Sequence, residues 1–101
     1  MTNACDAQTP PRRSGRILSL GELLVDLIPA EHGGRIDQAG AVFKTASGSA
    51  GIFACAAAAL GAESAFLGKV GKDALSRMAY QTVQSSGVDM RHVVESDEGQ
   101  I

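Results

Sequence analysis

Asp26 stands inside a greasy run, Gly21-Glu22-Leu23-Leu24-Val25-Asp26-Leu27-Ile28-Pro29, and further along Ser47, Gly48, Ser49 and Gly51 stand together ahead of an alanine-rich stretch. These are the residues best placed to do chemistry. An ionised carboxylate among Leu24, Val25, Leu27 and Ile28 is costly unless something partners it. A turn backbone, a nearby Arg or Lys, or the hydroxyl of a ligand would each serve, and the residues alone do not choose between a structural partner and a ligand. The small residues cannot fill a core, so they allow backbone to approach something closely. A helix opening on glycine and serine presents free N–H groups with the positive end of its dipole behind them, a ready place for polar or anionic groups. The commoner use of such residues is a turn with a serine N-cap, and on this motif alone that use is favoured.

The elements that must position these residues follow from patterning. Ile17 to Pro29 is nearly continuous apolar sequence. That density reads as strand buried on both faces, broken or bulged at Gly21 and ended at Pro29. It divides into two pieces, the first in a covered sheet and the second leaving it. Glu22 reads as a strand-end charge that finds water. Ala30 to Gly40 is turn material in which Gly33-Gly34 can take positive φ and close a hairpin. Ala41 to Thr45 is the return strand, with Phe43 as its anchor and Lys44 solvated.

Ala50 to Leu60 reads as a buried helix, since alanine combines the best helix propensity with close packing, and Gly61 is suited to end it. Ser64 to Gly68 has strand character. Asp73 is placed to cap a second helix, along which Leu75, Met78, Ala79, Thr82 and Val83 recur at helical spacing and after which Gly87 closes. His92-Val93-Val94 reads as a further strand. The order strand, excursion, helix, strand, helix, strand predicts an α/β fold: a parallel sheet covered by helices through right-handed crossovers. Ligands in such sheets sit at the carboxyl ends of the strands, where Asp26 and the Ser47–Gly51 turn converge.

Bulk properties narrow the function. The chain has 101 residues, 45% hydrophobic but only 4% aromatic, which fits one small domain with close helix-on-sheet packing. A formal net charge of -2 points to neither nucleic acid nor an anionic membrane surface. No run reaches the roughly 18 apolar residues of a membrane span. There is no apolar leader of signal-peptide type, so a cytoplasmic protein is expected. Cys5 and Cys55 read as one solvent thiol and one small buried side chain, not a disulfide. Residues 1–16 read as a disordered leader and 17–101 as the folded part.

Three segments in register resemble the ribokinase-like carbohydrate kinases, the phosphofructokinase-B family, and its fructokinase-type members most closely. They are Gly21 to Pro29; Phe43 to Gly48 continuing through Ser49-Ala50-Gly51 to Leu60-Gly61-Ala62; and Phe66 to Asp73, followed by Ser86-Gly87-Val88-Asp89. The resemblance covers nearly everything after Arg16. It implies a ribokinase-like fold with a small β-lid excursion between Pro29 and Thr45, and a further lid strand beginning near Glu95. It implies that Asp26 accepts hydrogen bonds from sugar hydroxyls, that Gly48 belongs to a two-glycine turn approaching the sugar, and that Ser49 lies beside it.

Two positions depart from the family pattern. Ser47 stands where the first of the two glycines is common. Ile52 stands where a sugar-binding asparagine is common, and its side chain can neither donate nor accept. Family members are about three times this long, and their catalytic aspartate and most of their ATP site lie in the C-terminal part. The chain is therefore expected to be a truncated, N-terminal, sugar-binding part of a kinase that uses ATP and Mg²⁺, inactive by itself and lacking the base.

A lid-mediated homodimer is implied by the resemblance alone. The alternatives are a non-catalytic sugar-binding or regulatory relative, a nucleoside kinase of the same family, and a dinucleotide-binding module. The last needs a glycine fingerprint directly after the first strand, which Gly21-Glu22-Leu23 does not supply.

Overall fold

A computed structural model describes residues 15–98. The expected leader at 1–16, apart from its last two residues, lies outside them, as do Cys5 and any lid strand beyond Glu98. The first strand, β1, is Arg16–Leu20. It pairs in parallel with β4, Glu63–Leu67, with Leu18 beside Ala65. Asp89 bridges to Ala65 in the same sense. Between them β2, Leu24–Pro29, and β3, Val42–Ser47, form a separate antiparallel ribbon.

The run that looks like one buried strand is thus two strands in two sheets. The second leaves the covered sheet, as its break at Gly21 implies. Burial on both faces is not found. Only Ser19 is buried in β1, and no residue of β2 is. The reason is local: among the described residues β1 has β4 as its one strand partner, and β2 lies in a two-stranded ribbon. The connection from β2 to β3 contains a short 3₁₀ turn at Ile36–Gln38 and a tight turn in which the Gly34 N–H donates to the Glu31 carbonyl at 3.0 Å, with Gly33 at φ 73°.

The helix α1, Ser49–Ala59, lies on β1 and β4. Alanine permits this close approach. Two buried serines tie helix to sheet: the Ser19 hydroxyl donates to the Ala50 carbonyl at 2.7 Å and the Ser64 hydroxyl to that of Ala54 at 2.8 Å. The end of α1 is a Schellman closure: Ala62 N–H donates to Ala57 and Gly61 N–H to Ala58.

The second helix, α2, Ala74–Ser85, packs on β2 and β3. Asp73 is its N-cap residue as expected, but its carboxylate accepts from the Ser76 hydroxyl. The expected strand at His92–Val94 is shorter and later: β6, Val94–Glu95, pairs in parallel with β5, Lys69–Val70. Phe66, Val83, Leu23 and Ala54 centre the core. Cys55 is a free thiol and half-buried rather than buried. No helix among the described residues is long and apolar enough to cross a membrane.

Candidate functional site

The ribbon register places the candidate residues. Leu24 opposes Ser47 and Asp26 opposes Thr45. Directly opposed residues share a face, so Leu24, Asp26 and Ile28 stand with Ser47, Thr45 and Phe43. Val25 and Ala46 alternate to the other face, against the core. Asp26 is exposed, so the desolvation cost expected of a carboxylate in an apolar run does not arise. It belongs to none of the ion pairs among the described residues.

Gly48 follows Ser47 directly and is the N-cap residue of α1, at φ 97° and ψ 127°. A Cβ there would sit 2.7 Å from the Glu22 carbonyl oxygen. This backbone-on-backbone contact belongs to a larger arrangement of chain crossings between the layer formed by β1, β4 and α1 and the outlying strands. Gly21 lies on the first crossing, Gly48 on the second and Gly68 on the third. A Cβ on Gly68 would meet the Gly21 carbonyl oxygen at 2.6 Å, and one on Gly21 would meet the Ala50 Cβ at 2.7 Å. Side-chain-free backbone is what lets the crossings stack.

The structure differs from two expectations. Glu22 is exposed, as expected of a strand-end charge, but its carboxylate is not left to water alone. Its carboxylate accepts from the Ser49 amide at 3.1 Å and from the Ser49 hydroxyl at 2.9 Å. The first amide of α1 is accordingly not open to a ligand anion, because Glu22 already supplies one. Its own backbone amide, then the Ser49 hydroxyl and amide, hold the Glu22 carboxyl below the usual carboxylate range. A lowered folded-state value makes this contact complete above the ordinary carboxylate range and loses it as pH falls through the lowered value.

The sequence carries a signal for it. Gly48 has no side chain to cap the helix, and no acidic residue lies in the first turn. The orphan amides therefore need an acceptor from elsewhere.

Ser47, Gly48 and Ser49 thus meet the Glu22 turn at the foot of the ribbon that carries Asp26. Ile52 is placed differently. It is 55% exposed on the first turn of α1. It lines a cleft of about 220 Å³ with Ser47, Cys55, Thr82 and Ser86, and Asp26 does not line it.

Among the described residues no group of three or more His, Cys, Asp or Glu is set to hold a metal, and the Ser49 amide at the start of α1 is taken by Glu22.

Residues 14–101 match the family described as pfkB family carbohydrate kinase. Fructokinase-1 of Oryza sativa subsp. japonica is 38% identical over 82 residues, which are 81% of this chain and 25% of that protein. Fructokinase-1 of Zea mays is 36% identical over 78 residues, 77% of this chain and 24% of that protein. The chain thus spans about a quarter of the length of the curated relatives it matches.

Among solved structures, an uncharacterized sugar kinase from Pyrococcus horikoshii superposes with TM-score 0.77 at 29% identity, over 85% of this chain and 28% of that one. Fructokinase from Xylella fastidiosa does so with TM-score 0.74 at 25% identity, over 84% and 26%. The latter has also been solved with ATP bound. The fold is therefore ribokinase-like α/β, and the chain, matched over nearly all of its length, belongs to the pfkB family of carbohydrate kinases.

Proposed function

We propose that the protein carrying this chain is an ATP-dependent, fructokinase-like sugar kinase, and that this chain forms its sugar-holding N-terminal part. The observation that carries the reading is the register of the ribbon. It sets an exposed carboxylate, Asp26, free of any ion pair among the described residues, on the strand next to the one that runs into the side-chain-free turn at Gly48. A carboxylate accepts from two hydroxyls without giving up a proton, which suits a polyhydroxylated substrate. The absent Cβ of Gly48 lets this turn lie directly against the Glu22 backbone, which fixes the edge of the site beside that strand. Leu24, Ile28 and Phe43 on the same face are exposed. They suit a lid that closes over the sugar and excludes water, or one that pairs with the lid of a second copy.

Phosphoryl transfer depends on positioning and charge stabilisation. This chain's share is positioning: Asp26 orients hydroxyls, the Gly48–Ser49 turn sets the edge of the site, and the ribbon covers it. The proton-accepting base and the ATP site come from elsewhere in the protein, so residues 1–101 alone are expected to release no ADP.

The test is a coupled ADP-release assay on the full-length protein with fructose, ribose, a nucleoside and a sugar acid. Fastest turnover with fructose is expected. Sugar binding without ADP release would replace this reading with a non-catalytic relative, and turnover with the nucleoside alone would make it a nucleoside kinase.

Ile52 stands where the resemblance puts a sugar-binding asparagine, yet it lines a cleft that Asp26 does not. Ile52→Asn at this exposed position is expected to cost within about 0.5 kcal/mol of stability and to leave the ratio of kcat/KM between fructose and ribose unchanged. A changed ratio would bring that cleft into the sugar site.

A further inference from the structure

We propose that Glu22 is the positioning residue of the sugar-facing turn: its carboxylate clamps the Ser49 amide and hydroxyl and so holds Gly48 and the start of α1 in place. The clamp itself stands on geometry. The inference that it matters for substrate rests on the sugar-kinase reading above.

Three observations converge on this residue. The two hydrogen bonds, 3.1 and 2.9 Å, span a sequence separation of 27 residues, so they tie the β1–β2 crossing to the β3–α1 crossing. The Glu22 backbone is itself the surface against which Gly48 lies, its carbonyl oxygen being 2.7 Å from where a Gly48 Cβ would be. And α1 has no acceptor of its own there: Gly48 has no side chain, and no acidic residue lies in the first turn. One residue thus fixes the turn twice, through its main chain by contact and through its side chain by hydrogen bonding.

The ribbon enters the body of the fold at these two crossings, Gly21–Leu23 and Gly48. The clamp therefore sets the angle at which the strand carrying Asp26 leaves, and with it the distance between Asp26 and the turn. An internal carboxylate at the helix N-terminus also answers the dipole there. The Ser49 amide and hydroxyl are committed to Glu22, which leaves Asp26 to recognise the substrate's hydroxyls.

The test compares Glu22→Ala and Glu22→Gln in the full-length protein by amide hydrogen exchange and by kinetics with fructose. In Glu22→Ala, exchange at the Ser49 amide is expected to speed by about tenfold or more while the middle of α1 keeps its protection. KM for fructose is expected to rise by about tenfold, with kcat and KM for ATP changing by less than about threefold. Glu22→Gln keeps the length and one acceptor oxygen, and is expected to fall between wild type and Glu22→Ala in both readouts.

Unchanged exchange at Ser49 in Glu22→Ala would overturn the clamp. Faster exchange with an unchanged KM for fructose would leave Glu22 a structural residue and overturn its positioning role. A Gln variant as impaired as the Ala one would contradict the hydrogen-bond account. If Glu22→Ala does not fold, Ser49→Ala, which removes only the hydroxyl arm, must move KM for fructose in the same direction, and an unmoved KM overturns the proposal. Should wild type neither bind nor phosphorylate any sugar, the kinase reading fails, while the exchange measurement still decides whether Glu22 holds the turn.

Discussion

Asp26→Asn in the full-length protein is expected to lower kcat/KM for fructose by about a hundredfold or more, the size of losing charge-assisted hydrogen bonds to substrate. The substitution keeps the shape and removes the charge. The residue is exposed and belongs to no ion pair among the described residues. Folding stability is therefore expected to change by no more than about 0.5 kcal/mol. The combination is diagnostic, because a structural carboxylate would show the reverse. Steady-state kinetics and a denaturant melt on the same preparation measure both, and turnover within twofold of wild type would return Asp26 to a surface role.

Gly48→Ala is expected to be strongly destabilising. Two costs add. The first is conformational: φ of 97° is a region that L side chains rarely adopt, at about 1–3 kcal/mol. The second is steric: the new methyl would lie 2.7 Å from the Glu22 carbonyl oxygen, and that atom is backbone, so relief requires the crossings to separate. Together they predict a loss of about 3 kcal/mol and a raised KM for sugar.

Gly61→Ala is the control. Gly61 also has positive φ, 93°, but a Cβ there meets nothing within 4 Å. It pays the conformational cost alone. Denaturant midpoints for the two variants separate strain from contact; equal midpoints would mean that the close approach at Gly48 relaxes without penalty.

Much of the fold was legible because its signals are local. Gly61 and Gly87 end helices because positive φ there needs no partner elsewhere in the chain, and both have it. The alanine stretch is helical and lies on strands for the reason its side chains suggest. The small-residue bend at Gly48 opens α1, one residue from where patterning alone begins it.

What was illegible depends on contacts across the sequence. Composition cannot distinguish a core strand from a ribbon strand whose Leu24, Leu27 and Ile28 stay exposed, so β2 looks buried when it is not. The same error made Asp26 look costly. Glu22 looks like a solvated strand end because its partner, Ser49, lies far along the chain, and only the missing acceptor at the helix start hints at the pairing. The strand at the C-terminal end slipped from His92 to Val94 because two residues paired with Lys69 and Val70 leave almost no periodicity to read.

Asp26 and the Gly48–Ser49 turn are expected to hold one and the same polyhydroxylated molecule. A crystal structure of the full-length protein with fructose bound tests this most directly. The expected result is a sugar hydroxyl about 2.7–3.0 Å from an Asp26 carboxylate oxygen, with the Gly48–Ser49 backbone against the same ring and the Glu22 clamp intact. A sugar seated in the cleft between α1 and α2, with Asp26 turned to water, would contradict it.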